Sequence, residues 1–328
     1  MTPSTLPLLS VVAPVYCEES GIGEFYTRLK TVLEQMRSAY RYEIVFVNDG
    51  SKDHTLDILL QMQTQDPQVR VLNFSRNFGH QIAITAGMDY ATGDAVVVMD
   101  SDLQDPPEVI PAMAAKWQEG YKVIYGVRTK RKGETFFKRW TATAYYRILR
   151  KLSDIEIPLD AGDFRLMDRA AVDVAKRLRE HGRYMRGLSI WTGFKQYGLS
   201  YERDARYAGE TKYPLSKMVA FALNGIFNFS EKPLYLAGYC GFFITAISVL
   251  LMAWVVIQKL IHPEATIQGW NSLILAIAFF GGIQLLSIGL LGQYIGRIYV
   301  EVKRRPLYVV DGQYGFETNA SPCSASNS

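Results

Sequence analysis

Cysteine is scarce in this chain: Cys17, Cys240 and Cys323 are the full set. They lie too far apart for a cysteine-ligated metal site, and an odd number argues against a disulfide framework. Free thiols in a reducing cytoplasm are the expectation. Histidine is nearly as rare, with four residues and none at metal-ligand spacing. An excess of one charge sign is also missing. The formal net charge is +4, too small to argue for nucleic acid, and no basic stripe interleaved with aromatics occurs in the first half. No Lys or Arg precedes Arg28, and the apolar stretch Leu8 to Val15 is short and contains Ser10 and Pro14. It reads as a strand rather than a signal peptide. No internal repeat is evident, and Gly21-Ile22-Gly23 lacks the spacing of a dinucleotide fingerprint.

What the chain does have is alternation. Apolar runs at Leu8 to Ala13, Tyr42 to Val47, Val69 to Phe74 and Ala95 to Met99 read as buried strands, with helical spacing between them. Ile22, Phe25, Leu29, Val32, Leu33 and Met36 mark the first helix, for which Ser20 is a candidate cap. Strands alternating with helices predict an α/β fold with a doubly wound, parallel sheet, which binds ligands beyond the carboxyl ends of its strands. The segments after the first, second and fourth strands carry Glu18, Asp49 and Asp100, so acids converge on that edge.

The densest stretch is Val96 to Glu108. Apolar Val96-Val97-Val98-Met99 switches to Asp100-Ser101-Asp102-Leu103-Gln104-Asp105-Pro106-Pro107-Glu108. The prolines cannot extend a central strand and force a turn, after which Glu108 to Trp117 has helical spacing. Asp100, Asp102 and Gln104 share one side of a pleat. That is the all-oxygen donor set that Mg²⁺ or Mn²⁺ prefers, an ion that usually rides on a substrate diphosphate. Each acid also has a bland reading: Asp49, before Gly50-Ser51, suits a turn, and Glu18 suits an exposed loop.

A further strand, Val123 to Val127, ends at Arg128 and is followed by Lys130, Arg131, Lys132, Lys138, Arg139, Arg147, Arg150 and Lys151. A solvated face is the ordinary reading; guanidinium forks beside a metal suit an anionic acceptor. In Leu159 to Arg169, Gly162 allows close backbone approach and Asp168 is a helix cap. Asp163 is the candidate acid nearest the reacting phosphate, or else a structural ion pair with Arg165. Four regions result: a domain over residues 1–205, an amphipathic interfacial helix region over 206–232, a membrane hairpin over 233–300 and a tail over 301–328. No charged residue occurs from Leu234 to Ile257 or from Asn271 to Gly296, and each run exceeds the ~20 residues needed to cross a bilayer. Basic residues before the first run and after the second, including Lys232, Arg297 and Lys303, place both termini on the cytoplasmic side. Small residues such as Gly281, Gly282, Gly289, Gly292 and Gly296 permit close helix packing, within the hairpin or in a homo-oligomer. The segment from Glu317 is expected to be disordered.

Asp100 to Glu108 resembles the signature of the polyprenyl-phosphate glycosyltransferases, inverting nucleotide-sugar transferases related to dolichol-phosphate mannose synthase. Ala13 to Glu18, Asn48 to Ser51 and Ala161 to Arg169 resemble the same family in the same order. The two uncharged runs resemble those of bacterial membrane-bound members that supply lipid-linked glucose for O-antigen modification. The resemblance implies a GT-A-like catalytic domain that moves one sugar to polyprenyl phosphate at the inner membrane of a bacterium. It implies a nucleotide sugar held by Pro14, Tyr16, Glu18, Asp49 and Asp100, with Asp49 at the nucleobase. Arg128, Arg139 and Thr143 would hold the lipid phosphate, and Asp163, Asp102 and Arg128 would carry the reaction. UDP-glucose is the first expectation for the donor and GDP-mannose the second. A processive polysaccharide synthase built on the same domain is a rival, but it needs a longer membrane channel and typically a Gln-x-x-Arg-Trp motif, neither of which is present. A membrane-tethered scaffold that retained the fold is a second rival, disfavoured by the number of acids and arginines kept together.

Overall fold

The computed structural model describes residues 6–128, 161–202, 232–261 and 269–316. Its chain divides into two compact units, one holding the sheet and one holding two long helices.

The sheet has eight strands, β1 (Leu8–Val15), β2 (Arg41–Asn48), β3 (Val69–Phe74), β4 (Ala95–Val98), β5 (Val123–Arg128), β6 (Ala161–Asp168), β7 (Gln196–Tyr201) and β8 (Val310–Tyr314). Their order is β7-β5-β6-β4-β1-β2-β3-β8. Around it lie α1 (Ile22–Gln35), α2 (Thr55–Gln65), α3 (His80–Tyr90), α4 (Ile110–Gln118), α5 (Arg169–Arg177) and α6 (Met185–Trp191). Alternate residues explain the layering. Leu9, Val11 and Ala13 pack with Phe25 and Leu29 of α1, whereas Val12 packs with Val45, Val47 and Ile84 of α3 on the other face. A sheet buried on both faces needs helices on both sides, which is why its strands read as continuous apolar runs. The helix α1 begins without a side-chain cap: the Glu18 carbonyl accepts the N–H groups of Gly21 and Ile22, so the Ser20 hydroxyl is not needed. Asp168 does cap α5, accepting the Ala170 N–H at 3.0 Å.

The pairs β1–β2, β1–β4, β2–β3 and β5–β7 are parallel, and three pairs are antiparallel: β3–β8, β4–β6 and β5–β6. The sheet is therefore mostly parallel rather than wholly so. Side-chain alternation is the same in both directions, so the residue pattern carries no strand direction. Running β6 backwards puts its first residues beside the last residues of β4 and β5. Residues 310–314, read from the sequence as part of a separate tail, form the edge strand next to β3.

The second unit contains α7 (Lys232–Ile261) and α8 (Trp270–Val302). Among the described residues, Phe279–Val302 is long and apolar enough to cross a membrane by length and composition, and the shorter apolar run Gly241–Leu250 lies in α7. One stretch rather than two meets both criteria. The interfacial helix expected over 206–232 lies outside the described residues apart from Lys232, as does the segment from Glu317.

Candidate functional site

The topology brings one end of every strand to one edge of the sheet, β8 beginning there beside the last residue of β3. The parallel strands β1, β2, β3 and β4 end there, β5 and β7 end there at Arg128 and Tyr201, and the antiparallel β6 begins there. Pro14 and Asp100 thus come close: the Ser101 hydroxyl donates to the Pro14 carbonyl at 3.0 Å, tying the acidic turn to the end of β1. Within the turn, Leu103 has a φ of +60°, a left-handed conformation uncommon for a residue with a side chain. Asp102 Oδ1 braces it by accepting the Gln104 N–H at 3.1 Å. Gln104 is buried.

Asp100 stands in a crowd of like charge. Burial, reinforced by Asp163, Asp105 and Asp102 and opposed by His80, pushes its carboxyl up to about 6. His80 Nε2 lies 3.3 Å from Asp100 Oδ1 and 3.6 Å from Asp163 Oδ2. Burial pulls the His80 imidazole down, but the bond to Asp163 and the two carboxylate charges raise it above its ordinary value. In the sequence His80 is one of four histidines without metal-ligand spacing; the structure makes it the link between the acidic turn and β6.

Asp163 is the most heavily engaged acid. Arg186 donates from Nε to its Oδ1 at 3.1 Å and from Nη2 to its Oδ2 at 3.3 Å, and Gln81 Nε2 donates to Oδ2 at 3.0 Å. Burial alone would raise its carboxyl; the His80 hydrogen bond and the Arg186 and Arg165 charges pull harder and hold it well below the usual range. The expected ion pair with Arg165 is the longer contact, 3.9 Å. Arg165, 2% exposed, spends its guanidinium on the Met185 and Gly162 carbonyls and the Ser189 hydroxyl. It fastens α6 to β6, which is how Arg186 on α6 comes to meet Asp163. Arg186 sits in a polar connection without a family signature, so nothing in the sequence singled it out.

Arg128, at the end of β5, has a cradle of its own. Its Nη2 lies 3.6 Å from Asp105 Oδ2, and its Nε donates to the Tyr201 hydroxyl at 3.4 Å. Tyr201 donates in turn to Asp105 Oδ1 at 2.5 Å. Asp105 is wholly buried, and its charge and the Tyr201 bond raise Arg128 against the downward effect of burial. Gly162 makes room: a Cβ there would stand 2.7 Å from Arg128 Nη2. Asp105 and Tyr201 were both missed as site residues; Asp105 at least sits in the acidic turn, whereas Tyr201 is only a strand end. Arg139 and Thr143 lie outside the described residues.

The loops after β2 and β3 lock together at a single point. Gly50 has a φ of +67°, and a Cβ on it would stand 2.5 Å from the Arg76 carbonyl carbon. Asp49 spends both oxygens on the same lock, accepting the Phe78 N–H at 2.7 Å and the Gly79 N–H at 2.9 Å. Its turn chemistry is therefore long-range, and the expected nucleobase contact would have to use the remaining lone pairs. Tyr16 is exposed, and the Glu18 N–H is held by the Thr55 hydroxyl at 3.0 Å.

Residues 10–174 match glycosyl transferase family 2. A glycosyltransferase of Bacillus subtilis (strain 168), itself uncharacterized, is 56% identical over 94% of this chain and 94% of its own length. Another uncharacterized glycosyltransferase, from a Synechocystis species, is 44% identical over 94% of this chain and 96% of its own. The SfII prophage-derived bactoprenol glucosyl transferase of Shigella flexneri is 44% identical over 92% of this chain and 97% of its own. An acidic turn at the end of a mostly parallel sheet, matched across half the chain by one family and nearly end to end by relatives, has one conclusion: the chain belongs to glycosyl transferase family 2.

Proposed function

We propose that this transferase moves one glucose from UDP-glucose to polyprenyl phosphate, with inversion, at the cytoplasmic face of a bacterial inner membrane. The product would be a lipid-linked sugar for cell-envelope glycan modification. One observation carries the reading: acids and guanidinium groups share one sheet edge, with Asp100, Asp102, Asp105 and Asp163 beside Arg128 and Arg186. A reaction between two anions, a diphosphate donor and a phosphate acceptor, needs both kinds of charge in one cleft. The bactoprenol glucosyl transferases among the relatives support glucose as the sugar and a polyprenyl lipid as the acceptor.

Asp100, Asp102 and Gln104 would hold Mg²⁺ or Mn²⁺, which when bound neutralises charge on the leaving diphosphate. The donor chemistry fits: the half-buried Asp100 carboxyl, pushed up to about 6 by partial burial and then by neighbouring acids, favours an added cation. Among the described residues no three His, Cys, Asp or Glu side chains stand in metal-holding geometry. That suits an ion shared between one or two carboxylates and the substrate's own phosphates. Asp163, held ionised, is a poor proton acceptor and serves to orient His80 and Arg186. The attacking phosphate needs no strong base, because a phosphomonoester has its second pKa near ~6 and is already an anion at neutral pH. Arg128 would grip that phosphate with Arg139 and Thr143, while Pro14, Tyr16, Glu18 and Asp49 would surround the nucleotide. Two membrane spans, with both termini cytoplasmic, would keep the cleft beside the lipid headgroups, and the small residues of the spans would serve the hairpin or a homo-oligomer.

Membranes holding the protein, given labelled UDP-glucose and polyprenyl phosphate, should yield a lipid carrying a single sugar. A polymer or no product overturns the proposal, and transfer from GDP-mannose alone would replace the sugar. Arg128→Ala should lower acceptor efficiency about ten- to a hundredfold, the loss of one charge-assisted contact to a desolvated phosphate. Arg128→Lys should also be impaired, since a point charge cannot reproduce a fork. Gly162→Ala should push the guanidinium aside and show the same acceptor defect. Nucleotide-sugar affinity by calorimetry should change in none of the three; a weaker affinity would move Arg128 to the diphosphate.

A further inference from the structure

The last strand of the sheet is joined to the first loop by an unbroken run of side-chain hydrogen bonds. Asn73, in β3, donates from Nδ2 to Asp311 Oδ2 on β8 at 3.1 Å. Asn73 Oδ1 accepts Asn48 Nδ2 at 2.8 Å, and Asn48 Oδ1 accepts the Ser51 hydroxyl at 2.5 Å. Ser51 Oγ then accepts the Cys17 N–H at 2.9 Å, in the loop after β1. Each amide donates from its nitrogen and accepts at its oxygen, Asn48 Oδ1 also taking the Ser51 N–H at 3.4 Å, so the run has one direction, and flipping either amide would set like groups face to face. Asn48 and Asn73 are both buried, where an unmade hydrogen bond is expensive.

The loop at the far end needs holding. Cys17 has a φ of +54°, a region disfavoured for any residue with a Cβ, and its neighbours Tyr16 and Glu18 are the proposed nucleotide-sugar contacts. The near end is well anchored. Tyr308 stacks on Phe74 with ring centroids 5.2 Å apart and donates to Asp89 Oδ2 at 2.8 Å. The Val309 carbonyl accepts the Ser75 N–H at 3.1 Å, at the start of the loop that locks against Gly50. A rigid strap at one end and a strained loop at the other make the run a brace.

We propose that Asp311 is a positioning residue for the nucleotide sugar: through Asn73, Asn48 and Ser51 it holds the Pro14–Glu18 loop in its binding conformation. The inference rests on the reading that this loop receives the sugar donor. It gives the segment after α8 a function in substrate affinity.

The test is steady-state transfer and nucleotide-sugar calorimetry on the full-length protein. Asp311 is exposed and its bond to Asn73 is half-buried, so Asp311→Ala should raise the KM for the nucleotide sugar about two- to tenfold, the effect of one net hydrogen bond that water can partly replace. The kcat should stay within about twofold and the acceptor KM should not move. Asp311→Asn keeps an oxygen for Asn73 and should restore the wild-type KM. Ser51→Ala cuts the run at its other end and should reproduce the shift. Combined with Asp311→Ala it should add little, because the two act through one network. An unchanged KM in Asp311→Ala, an equal defect in Asp311→Asn, or a loss confined to kcat overturns the inference. If Asp311→Ala does not fold, Ser51→Ala with β8 intact decides the matter. A wild-type protein that binds no nucleotide sugar overturns both the inference and the proposed function; wild-type binding matched by Ser51→Ala overturns the inference alone.

Discussion

Asp163→Asn should destabilise the folded protein by about 3–5 kcal/mol and remove most of its activity. The magnitude is that of a broken buried ion pair, because the substitution leaves Arg165 and Arg186 facing a neutral amide. An amide also turns donors toward His80 and Gln81, which now donate to or face its oxygens. The dependence on pH has a definite sign. The Asp163 carboxyl is held below its unfolded value by its partners, so its contribution is fully present above the unfolded pKa, near ~3.9. It is lost only as pH falls through the lower folded value. Unfolding monitored from pH 8 to pH 4 should therefore show a gap throughout, widening as pH falls and His80, which Asp163 raises, takes up its proton, and closing only in stronger acid. A variant as stable as wild type but inactive would make Asp163 a chemical participant rather than an anchor.

Asp102→Asn should abolish transfer and leave the fold intact. Asn Oδ1 still accepts the Gln104 N–H that braces the turn, so stability should stay within about 0.5 kcal/mol of wild type. What is lost is an anionic oxygen for the proposed cation, and wild-type activity should likewise vanish with a chelator and return with Mg²⁺ or Mn²⁺. Full activity in metal-free protein would sink that assignment. Asp100→Asn should behave in the opposite way toward stability. Its carboxyl is pushed up to about 6 by burial and neighbouring acids, so ionising it costs the folded state. That cost is absent below the unfolded value of ~3.9 and complete above about pH 6. Metal-free Asp100→Asn should then be more stable than wild type at pH 8, by at most about 3 kcal/mol. Equal stability of the two at pH 8 would mean that Asp100 is not a strained charge.

Much of this architecture was legible because apolar runs and their spacing are local signals. Leu8–Val15, Arg41–Asn48, Val69–Phe74 and Ala95–Val98 are strands within a residue or two of their expected limits. Their carboxyl ends carry the acids to one edge, as a parallel arrangement requires. What was illegible depends on direction and on distant partners. Nothing in the residues of β6 says that it runs antiparallel to β4, yet that reversal is what sets Asp163 beside His80 and Asp100. Arg186 gains its place from Arg165, which pins α6 by its backbone carbonyl at Met185. Asp49 looked like a turn residue or a nucleobase contact, and its two oxygens hold a loop almost thirty positions away, at Phe78 and Gly79. Asp311 lies after both long helices, where position along the chain suggested a free tail.

The place of β8 in the chain also sets a timetable. A ribosome delivers β1 to β7 first, then α7 and α8, and only afterwards the strand that covers β3. Until then β3 is an open sheet edge, the kind of surface that pairs with other chains. The partners of Asn73 and Phe74 on that side are still unsynthesised as well. A chain interrupted anywhere in the long helices carries every acid of the cleft and still lacks the piece that closes the sheet, so translation must pass the hydrophobic segments before the catalytic fold is complete.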